Sequence, residues 1–158
     1  MTTNDIGTSL YIATAHPATN DTTGFRALTW VRVNGIVSVG ALGITHAGID
    51  IPDLGSGVET QVKGMGRGQD TTITIRAVAT DTGQGNLKTA AEDAEGVLSI
   101  KVVKGSGTGG AVATGDPIEY AQGIVHSWVR LERSATSYEG FSAVFHANQA
   151  TILDTEPA

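Results

Sequence analysis

Residues 70–78 read DTTITIRAV, a run in which two sets of side chains alternate at every step. A period of two is typical of a β-strand, because successive side chains point to opposite faces of the sheet. The run therefore predicts a strand with one face in the core and the other in water. The predicted core set is Thr71, Ile73, Ile75 and Ala77, and the predicted wet set is Thr72, Thr74 and Arg76.

Similar runs lie on both sides of this segment. SLYIA at residues 9–13 predicts a short strand after a polar N-terminal arm at residues 1–7, and VLSIKVVK at residues 97–104 predicts another. Between residues 27 and 39, the run ALTWVRVNGIVSV contains Asn34-Gly35, a pair that favours kinks, bulges and tight turns. This run predicts one bent long strand or two short ones.

Two long strands are predicted at the end of the chain. They are Ile118 to Arg133 and Tyr138 to Leu153, joined by a short turn at residues 134–137. Both exceed the usual strand length of about five or six residues. On the last strand, Phe141, Ala143, Phe145 and Ala147 share one face, and Ser142, His146 and Asn148 share the other. Residues 154–158 are expected to form a C-terminal tail.

The segment Asp81 to Glu95 is the only convincing helix in the sequence. Asp81 is a suitable N-cap, and Gly96 is expected to end the helix. Its apolar residues recur at helical spacing on one narrow side, which we expect to pack against the sheet. They are Leu87, Ala90, Ala91 and Ala94.

Residues 40–68 break the pattern, because glycines recur throughout and a strand is only weakly indicated at residues 59–63. The segment predicts a long loop or an extended hairpin. A compact domain seldom carries almost thirty poorly structured residues without a use for them, so a surface for a partner is one interpretation. A merely mobile insertion is the other.

Composition limits the class of protein. The chain has 158 residues, which suits one domain over residues 1–158, and its formal charge of −6 argues against a basic nucleic-acid surface and against binding to anionic membranes. With no cysteine there is no disulfide framework and no thiol nucleophile. The first residues do not resemble a secretory signal, and the most apolar stretch, residues 31–44, is too short and polar to span a bilayer.

No motif for catalysis or for a cofactor is found. Only His126 and His146 could face each other across the final hairpin, and half-buried or surface histidines are the simpler interpretation. Gly105, Gly107 and Gly110 match a dinucleotide-binding glycine pattern, but no helix is predicted after them. We therefore expect a protein that is not an enzyme and has no cofactor.

The order of these elements resembles the major tail tube proteins of long-tailed bacteriophages, such as that of phage lambda. The resemblance runs over nearly the whole chain. It rests on GTSLYIA after a polar arm, the long segment 40–68, DTTITIRAV, the helix opened by Gly83-Gln84, and YAQGIVHSW before a final long strand.

The resemblance implies a mainly-β fold, a β-sandwich or barrel with one flanking α-helix and a long extended loop. Six copies would join through their edge strands into a ring, and stacked rings would form a tube in the virion. The implied partners are further copies of the chain, a tape-measure protein, distal tail or baseplate proteins and a tail terminator. Genome DNA would cross the lumen without specific binding, and no membrane would be involved.

The resemblance also suggests three groups of residues. Deletion of Ala41 to Ser56 is expected to leave a folded monomer that cannot polymerise. The loop between subunits or rings would use Ala41, Leu42, Ile44, His46, Ile49, Asp50, Ile51, Asp53 and Leu54. The lumen would be lined by Thr72, Thr74, Arg76, Ser142, His146 and Asn148. Arms that order only on assembly would include Thr2, Asn4, Asp5, Asp154 and Glu156.

Two alternatives stay open at this point. One is a β-rich binding module of a baseplate or adhesin, although the loops offer no convergent set of exposed aromatic residues. The other is the tube subunit of a contractile injection or secretion machine, which would differ from a phage tail tube in having a sheath.

Overall fold

Antiparallel strands are the main regular structure of residues 5–158, the part of the chain that the computed structural model describes. Two α-helices interrupt them, α1 (Thr22–Arg26) and α2 (Thr82–Glu92). The strands are β1 (Thr8–Ala13), β2 (Val31–Val33), β3 (Ile36–Val39), β4 (Ile44–Ile51), β5 (Thr60–Gly68), β6 (Asp70–Arg76), β7 (Val97–Lys104), β8 (Pro117–Arg130), β9 (Gly140–Ala147) and β10 (Ile152–Thr155). The predicted mainly-β fold is confirmed.

The main sheet has the strand order β2-β1-β7-β8-β9-β6-β3, with β10 paired to β8. Its two edge strands, β2 and β3, are separated in the chain by Asn34 and Gly35 alone. A connection this short spans only about 10 Å, so the sheet must curl until its edges approach each other. Of the two predictions for residues 27–39, two short strands is the correct one, and Gly35 makes the bend with a φ of +77°.

The concave side of the curled sheet encloses the larger core. Alternating residues of the strands fill it, and Leu87 and Ala90 of α2 close it. The predicted buried set of DTTITIRAV is confirmed for its central positions, since Thr71, Ile73 and Ile75 are buried. The other buried members are Leu10, Ile12, Val33, Leu98, Ile100, Ala121, Val125, Ala143, Phe145 and Ala147.

Helix α2 begins where it was predicted and ends early. The Asp81 carboxylate accepts a hydrogen bond from the Gln84 N–H at 2.9 Å, which confirms the predicted N-cap. The helix ends at Glu92, because Asp93 already has an extended backbone with a ψ of 147°. The expected end at Gly96 is therefore wrong, and Ala94 lies outside the helix and is exposed.

A second, smaller core lies under α1, so the segment 81–95 is not the only helix. The Phe25 ring stacks on the Tyr120 ring with centroids 4.9 Å apart, and Trp30 also stacks on Tyr120 at 5.7 Å. Burial, together with the nearby Asp154 carboxylate, raises the pKa of Tyr120 to about 12. The sequence does not indicate α1, because its five residues, TTGFR, include only one large apolar residue.

The last predicted strand, Tyr138 to Leu153, consists of two strands in the structure. Both β9 and β10 lie along β8, since Ala147 is opposite Gly123 and Ile152 is opposite Tyr120. The chain leaves the sheet at residues 148–151 and then returns to it. The strand predicted to end at Arg133 ends at Arg130.

In the single chain the C-terminal residues pack on this fold, unlike the arm expected from the sequence. Asp154 belongs to β10 and accepts two hydrogen bonds from the Arg26 guanidinium, at 2.7 and 2.6 Å. These bonds hold the pKa of Asp154 below its usual value. Glu156 pairs with the Lys101 ammonium at 3.0 Å.

Candidate assembly surface

Residues 40–68 form an extended hairpin in which β4 pairs only with β5, in a two-stranded sheet apart from the main one. The register places Ile44 opposite Gly68 and Ile51 opposite Thr60, with a bulge between His46 and Gly48. Of the two predictions for this segment, the extended hairpin is correct. Its second strand is longer than the weak strand indicated at residues 59–63.

The outer half of the hairpin has two different faces. Ile49 is opposite Val62, and Ile51 lies on the same face two residues further on. Ile49 is 53% exposed, and Ile51 and Val62 are each 45% exposed. The opposite face is polar, because Gln61 donates a hydrogen bond to the Asp50 carboxylate at 2.8 Å. We call the first surface the apolar hairpin face.

The tip of the hairpin is an ordered turn organised by Asp53. Its carboxylate accepts hydrogen bonds from the Gly55 N–H at 2.9 Å and from the Ser56 hydroxyl at 2.8 Å. These bonds, led by that from Ser56, lower the pKa of Asp53. The turn leaves Leu54 fully exposed and Val58 61% exposed.

Exposed apolar area is concentrated on this hairpin. Of the eleven large hydrophobic residues that are most exposed among the described residues, six lie between residues 49 and 65. An isolated two-stranded hairpin is marginally stable in water, and clustered apolar patches mark interaction sites. This segment therefore has the character of a surface that is covered by another molecule. The six are Ile49, Ile51, Leu54, Val58, Val62 and Met65.

The structure places the predicted loop residues in different environments. Ile49, Ile51 and Leu54 project into solvent, and Asp50 and Asp53 hold the hairpin together. His46 is exposed at the bulge and Ile44 is half-buried at the base. Leu42 packs against the main core, and the Ala41 carbonyl accepts a hydrogen bond from the Thr71 hydroxyl at 2.7 Å. Leu42 and Ala41 therefore anchor the hairpin.

Three residues of the surface were missed from the sequence, namely Val58, Val62 and Met65. They lie in VETQVKGMG, where glycines interrupt the alternation that would have indicated a strand. Their place on the surface follows from the register between β5 and β4, which the sequence does not show.

A groove of about 690 Å³ lies where the two edges of the sheet diverge. On one side it is bounded by residues 5–8 and on the other by β3 and the residues that follow it. Because β2 pairs with Leu10–Ile12 of β1, no strand among residues 5–158 lies beside the start of β1 on that side. The lining of the groove includes Ile6, Ile36, Val37, Val39 and Leu42. We call it the edge groove.

The predicted N-terminal arm is only partly described. Thr2 and Asn4 lie outside the described residues. Asp5 lines the edge groove, and its carboxylate lies 3.8 Å from the Lys104 ammonium.

Five of the predicted lumen residues share one face of the sheet. Thr74 is opposite Ser142 across β6 and β9, and Asp70 is opposite His146. His146 and the Asp70 carboxylate are in hydrogen-bond contact at 2.6 Å, which lowers the pKa of Asp70. The face is mainly polar and half-exposed, although Val144 lies opposite Thr72 within it. It contains Thr72, Thr74, Arg76, Ser142 and His146, and Asn148 lies beyond β9.

Within residues 5–158, no three His, Asp or Glu side chains are placed to hold a metal ion. In the same range, no helix has the length and apolar character needed to cross a membrane. His126 and His146 lie on neighbouring strands, but His126 contacts the Ser127 hydroxyl and His146 contacts Asp70. Gly105, Gly107 and Gly110 lie in the connection between β7 and β8, where a three-residue 3-10 turn at Thr108–Gly110 is followed by no α-helix before β8.

No family model matches the sequence, and no curated protein is significantly similar to it. Solved structures do match the fold. A chain of the PVC extracellular contractile injection system, in the extended sheath-tube complex, superposes with a TM-score of 0.62 at 13% identity, covering 92% of this chain and 88% of that one.

Two further assemblies contain similar chains. The match in the sheath/tube terminator of the PVC system has a TM-score of 0.61 at 13% identity and covers 92% of both chains. The match in the anti-feeding prophage tube-terminating cap has a TM-score of 0.62 at 13% identity, covering 92% of this chain and 87% of that one. The likeness confirms a fold of the tail-tube type, without singling out the tubes of long-tailed phages.

Proposed function

We propose that this protein is a structural subunit that assembles into stacked rings forming a hollow tube. The observation that carries the proposal is the apolar hairpin face, a hydrophobic surface on a two-stranded sheet that the rest of residues 5–158 leaves exposed. The fold likeness to chains of sheath-tube, terminator and cap assemblies adds support.

In this proposal, the hairpin of one copy packs on a neighbouring copy. The edge groove is the receiving surface that the fold offers, since it presents Ile36, Val37 and Val39 beside two diverging strand edges. Strand edges with unpaired backbone groups readily add a further strand. Contacts of this kind between identical copies close into a ring when each contact repeats the same rotation. The proposed ring contains six copies.

The polar face of β6 and β9 is the proposed lining of the lumen. Threonine and serine hydroxyls do not hold phosphate groups as lysine and arginine do, so DNA would pass without specific binding. The chain would then work with a tape-measure protein, distal tail or baseplate proteins and a terminator, as part of a virion. This role is structural and involves no catalysis.

The tube of a contractile injection machine is a second candidate. It is favoured by the fold likeness to chains of an extracellular contractile injection system. A sheath around the assembled tube would distinguish it from the tube of a long-tailed phage.

Sedimentation velocity over a concentration series tests self-association directly. Because polymerisation follows mass action, the purified chain should shift from monomers to large species as its concentration rises. A single monomer boundary at every concentration would contradict the proposal.

A further inference from the structure

Asn34 and Gly35 are the two residues that close the curled sheet. They connect its edge strands β2 and β3, and the Gly35 carbonyl accepts a hydrogen bond from the Arg76 N–H on β6 at 2.6 Å. The buried Gln84 side chain donates to the Asn34 carbonyl at 2.6 Å and to the Arg76 carbonyl at 2.8 Å. The connection is therefore where β2, β3, β6 and α2 meet.

The Asn34 side chain is exposed but held by one partner, Asp81. The Asn34 amide Nδ2 donates to Oδ1 of Asp81 at 2.5 Å, and the Asn34 backbone N–H donates to Oδ2 at 3.3 Å. The same carboxylate caps α2 through the Gln84 N–H at 2.9 Å. Burial opposes ionisation of Asp81, but the hydrogen bonds from Asn34 and Gln84 outweigh it and lower the pKa of this carboxyl.

We propose that Asn34 is a deamidation site, and that Asp81 slows its conversion in the folded protein. In this reaction the Gly35 amide nitrogen loses its proton to water and attacks Cγ of Asn34. The new C–N bond closes a five-membered succinimide, the leaving nitrogen Nδ2 takes up a proton from water, the bond from Cγ to Nδ2 breaks, and ammonia leaves. Water then opens the ring to aspartate or isoaspartate.

Gly35 makes this attack sterically open, because it has no side chain beside its nitrogen. No hydrogen bond from its N–H is seen within residues 5–158. Asp81 acts against the attack in two ways. Its hydrogen bond with Nδ2 restricts rotation of the Asn34 amide. Its negative charge also disfavours the oxyanion that forms on Oδ1 of Asn34 during the attack.

The product would destabilise the closure of the sheet. An aspartate at position 34 places a second carboxylate against Asp81, and two carboxylates in contact repel each other unless one is protonated. An isoaspartate adds a backbone atom to the two-residue connection. Either product weakens the contacts that join β2, β3 and α2.

The rate is measured by incubating the protein in mildly alkaline buffer and following tryptic residues 33–63 by mass spectrometry. Asn34 is the single asparagine in this peptide, and fragment ions separate it from Gln61. The Asp81→Ser variant keeps a good N-cap but loses the hold on Asn34. Asp21→Ser is the matched control, because Asp21 caps α1 in the same way, far from Asn34.

We expect Asn34 to convert at least about tenfold more slowly in the folded wild type than in the chain unfolded in urea. Folded Asp81→Ser should convert several-fold faster than wild type, and Asp21→Ser should not. Equal rates in folded and unfolded wild type, or no acceleration in Asp81→Ser, would overturn the proposal.

The Asn34→Asp variant tests the consequence without any need for Asp81→Ser to fold. Repulsion raises the pKa of the new carboxyl in the folded state, so the loss of stability is present at neutral pH and disappears as pH falls below about 4. The urea midpoint should therefore drop relative to wild type at neutral pH and return to it in acid. A midpoint equal to that of wild type at neutral pH would refute the destabilising effect.

Discussion

At the scale of single residues, two glycines of α2 have opposite roles. A Cβ on Gly83 would lie 2.2 Å from the Arg32 carbonyl oxygen, because the start of the helix packs directly on the backbone of β2. A Cβ on Gly85 would meet nothing within 4 Å. Gly83 is therefore required for close packing, whereas Gly85 only lowers the helix propensity.

We predict that Gly83→Ala lowers the free energy of unfolding by about 1–3 kcal/mol through overpacking. Gly85→Ala is the matched control in the same helix and should raise it by about 0.5–1 kcal/mol. Urea denaturation of both variants checks the pair. If Gly83→Ala were as stable as wild type, the packing of α2 on β2 would be wrong.

Asp154 provides a prediction on pH. Its hydrogen bonds from Arg26 lower its pKa in the folded state, so its contribution to stability is present above the unfolded pKa of about 4 and is lost as pH falls through the lower folded pKa. Asp154→Asn should lower the free energy of unfolding by about 1–2 kcal/mol at neutral pH. The difference from wild type should shrink when urea titrations are repeated towards about pH 2. A difference that stays constant with pH would exclude this role.

The contacts of Asp81 and Asp154 differ in how far the sequence predicts them. The Asp81 cap is visible because its partner, Gln84, is three residues away. The bond between Arg26 and Asp154 joins residues that are 128 positions apart, so it depends on the way β10 returns to β8. The sequence predicts contacts between residues that are close along the chain, but not contacts between distant residues that the strand order brings together.

At the scale of elements, the β4–β5 hairpin carries the proposed function. We predict that the double variant Ile49→Ser and Val62→Ser loses self-association, because it removes apolar area from the proposed contact. Its free energy of unfolding should change by less than about 1 kcal/mol, since both side chains are half-exposed. Sedimentation velocity and urea denaturation measure the two effects.

The control for that variant lies on the other face of the same hairpin. Gln61→Ser with Lys63→Ser changes two neighbouring positions on the polar side and should leave self-association intact. Equal loss in both double variants would mean that the apolar hairpin face is not the contact.

Removal of the whole hairpin gives a further prediction. Ile44 and Gly68 are directly opposite each other, so a two-residue glycine turn can replace residues 45–67 without stretching the chain. The shortened chain should fold with an unchanged urea midpoint and stay monomeric in sedimentation. A shortened chain that fails to fold would show that the hairpin belongs to the core.

The structure revises the deletion of Ala41 to Ser56 expected from the sequence. That deletion would remove Leu42 from the core, take away the Ala41 carbonyl that binds Thr71, and leave β5 without its partner. The sequence located the segment but not its base, because glycines hide the strand pattern of β5. The break between β9 and β10 was missed because residues 148–151, NQAT, contain no glycine or proline to mark it, although Gln149 interrupts the apolar alternation of residues 141–147.

At the scale of the whole molecule, the curled sheet joins residues from both ends of the chain. Strand positions were largely predictable from alternation, as DTTITIRAV and VLSIKVVK illustrate. The strand order was not, because β1 pairs with β7 and β6 with β9 over long stretches of sequence. For the polar face of β6 and β9, the alternation on each strand is visible in the sequence, but the pairing of the two strands is seen only in the fold.

The proposed assembly uses three surfaces, namely the apolar hairpin face, the edge groove and the polar face of β6 and β9. The first is apolar and suits a contact that excludes water, whereas the second mixes apolar residues with Asp5, Thr8, Ser38 and Glu119. The third is polar, and it suits a surface that stays wet in the assembly. A hollow ring needs both kinds.

Negative-stain electron microscopy of the purified chain at low and high concentration tests the proposed self-assembly into tubes. We expect rings or hollow tubes that become abundant as concentration rises and that are absent from the Ile49→Ser, Val62→Ser variant at the same concentration. Uniform monomers at the highest concentration, with wild type indistinguishable from that variant, would contradict it.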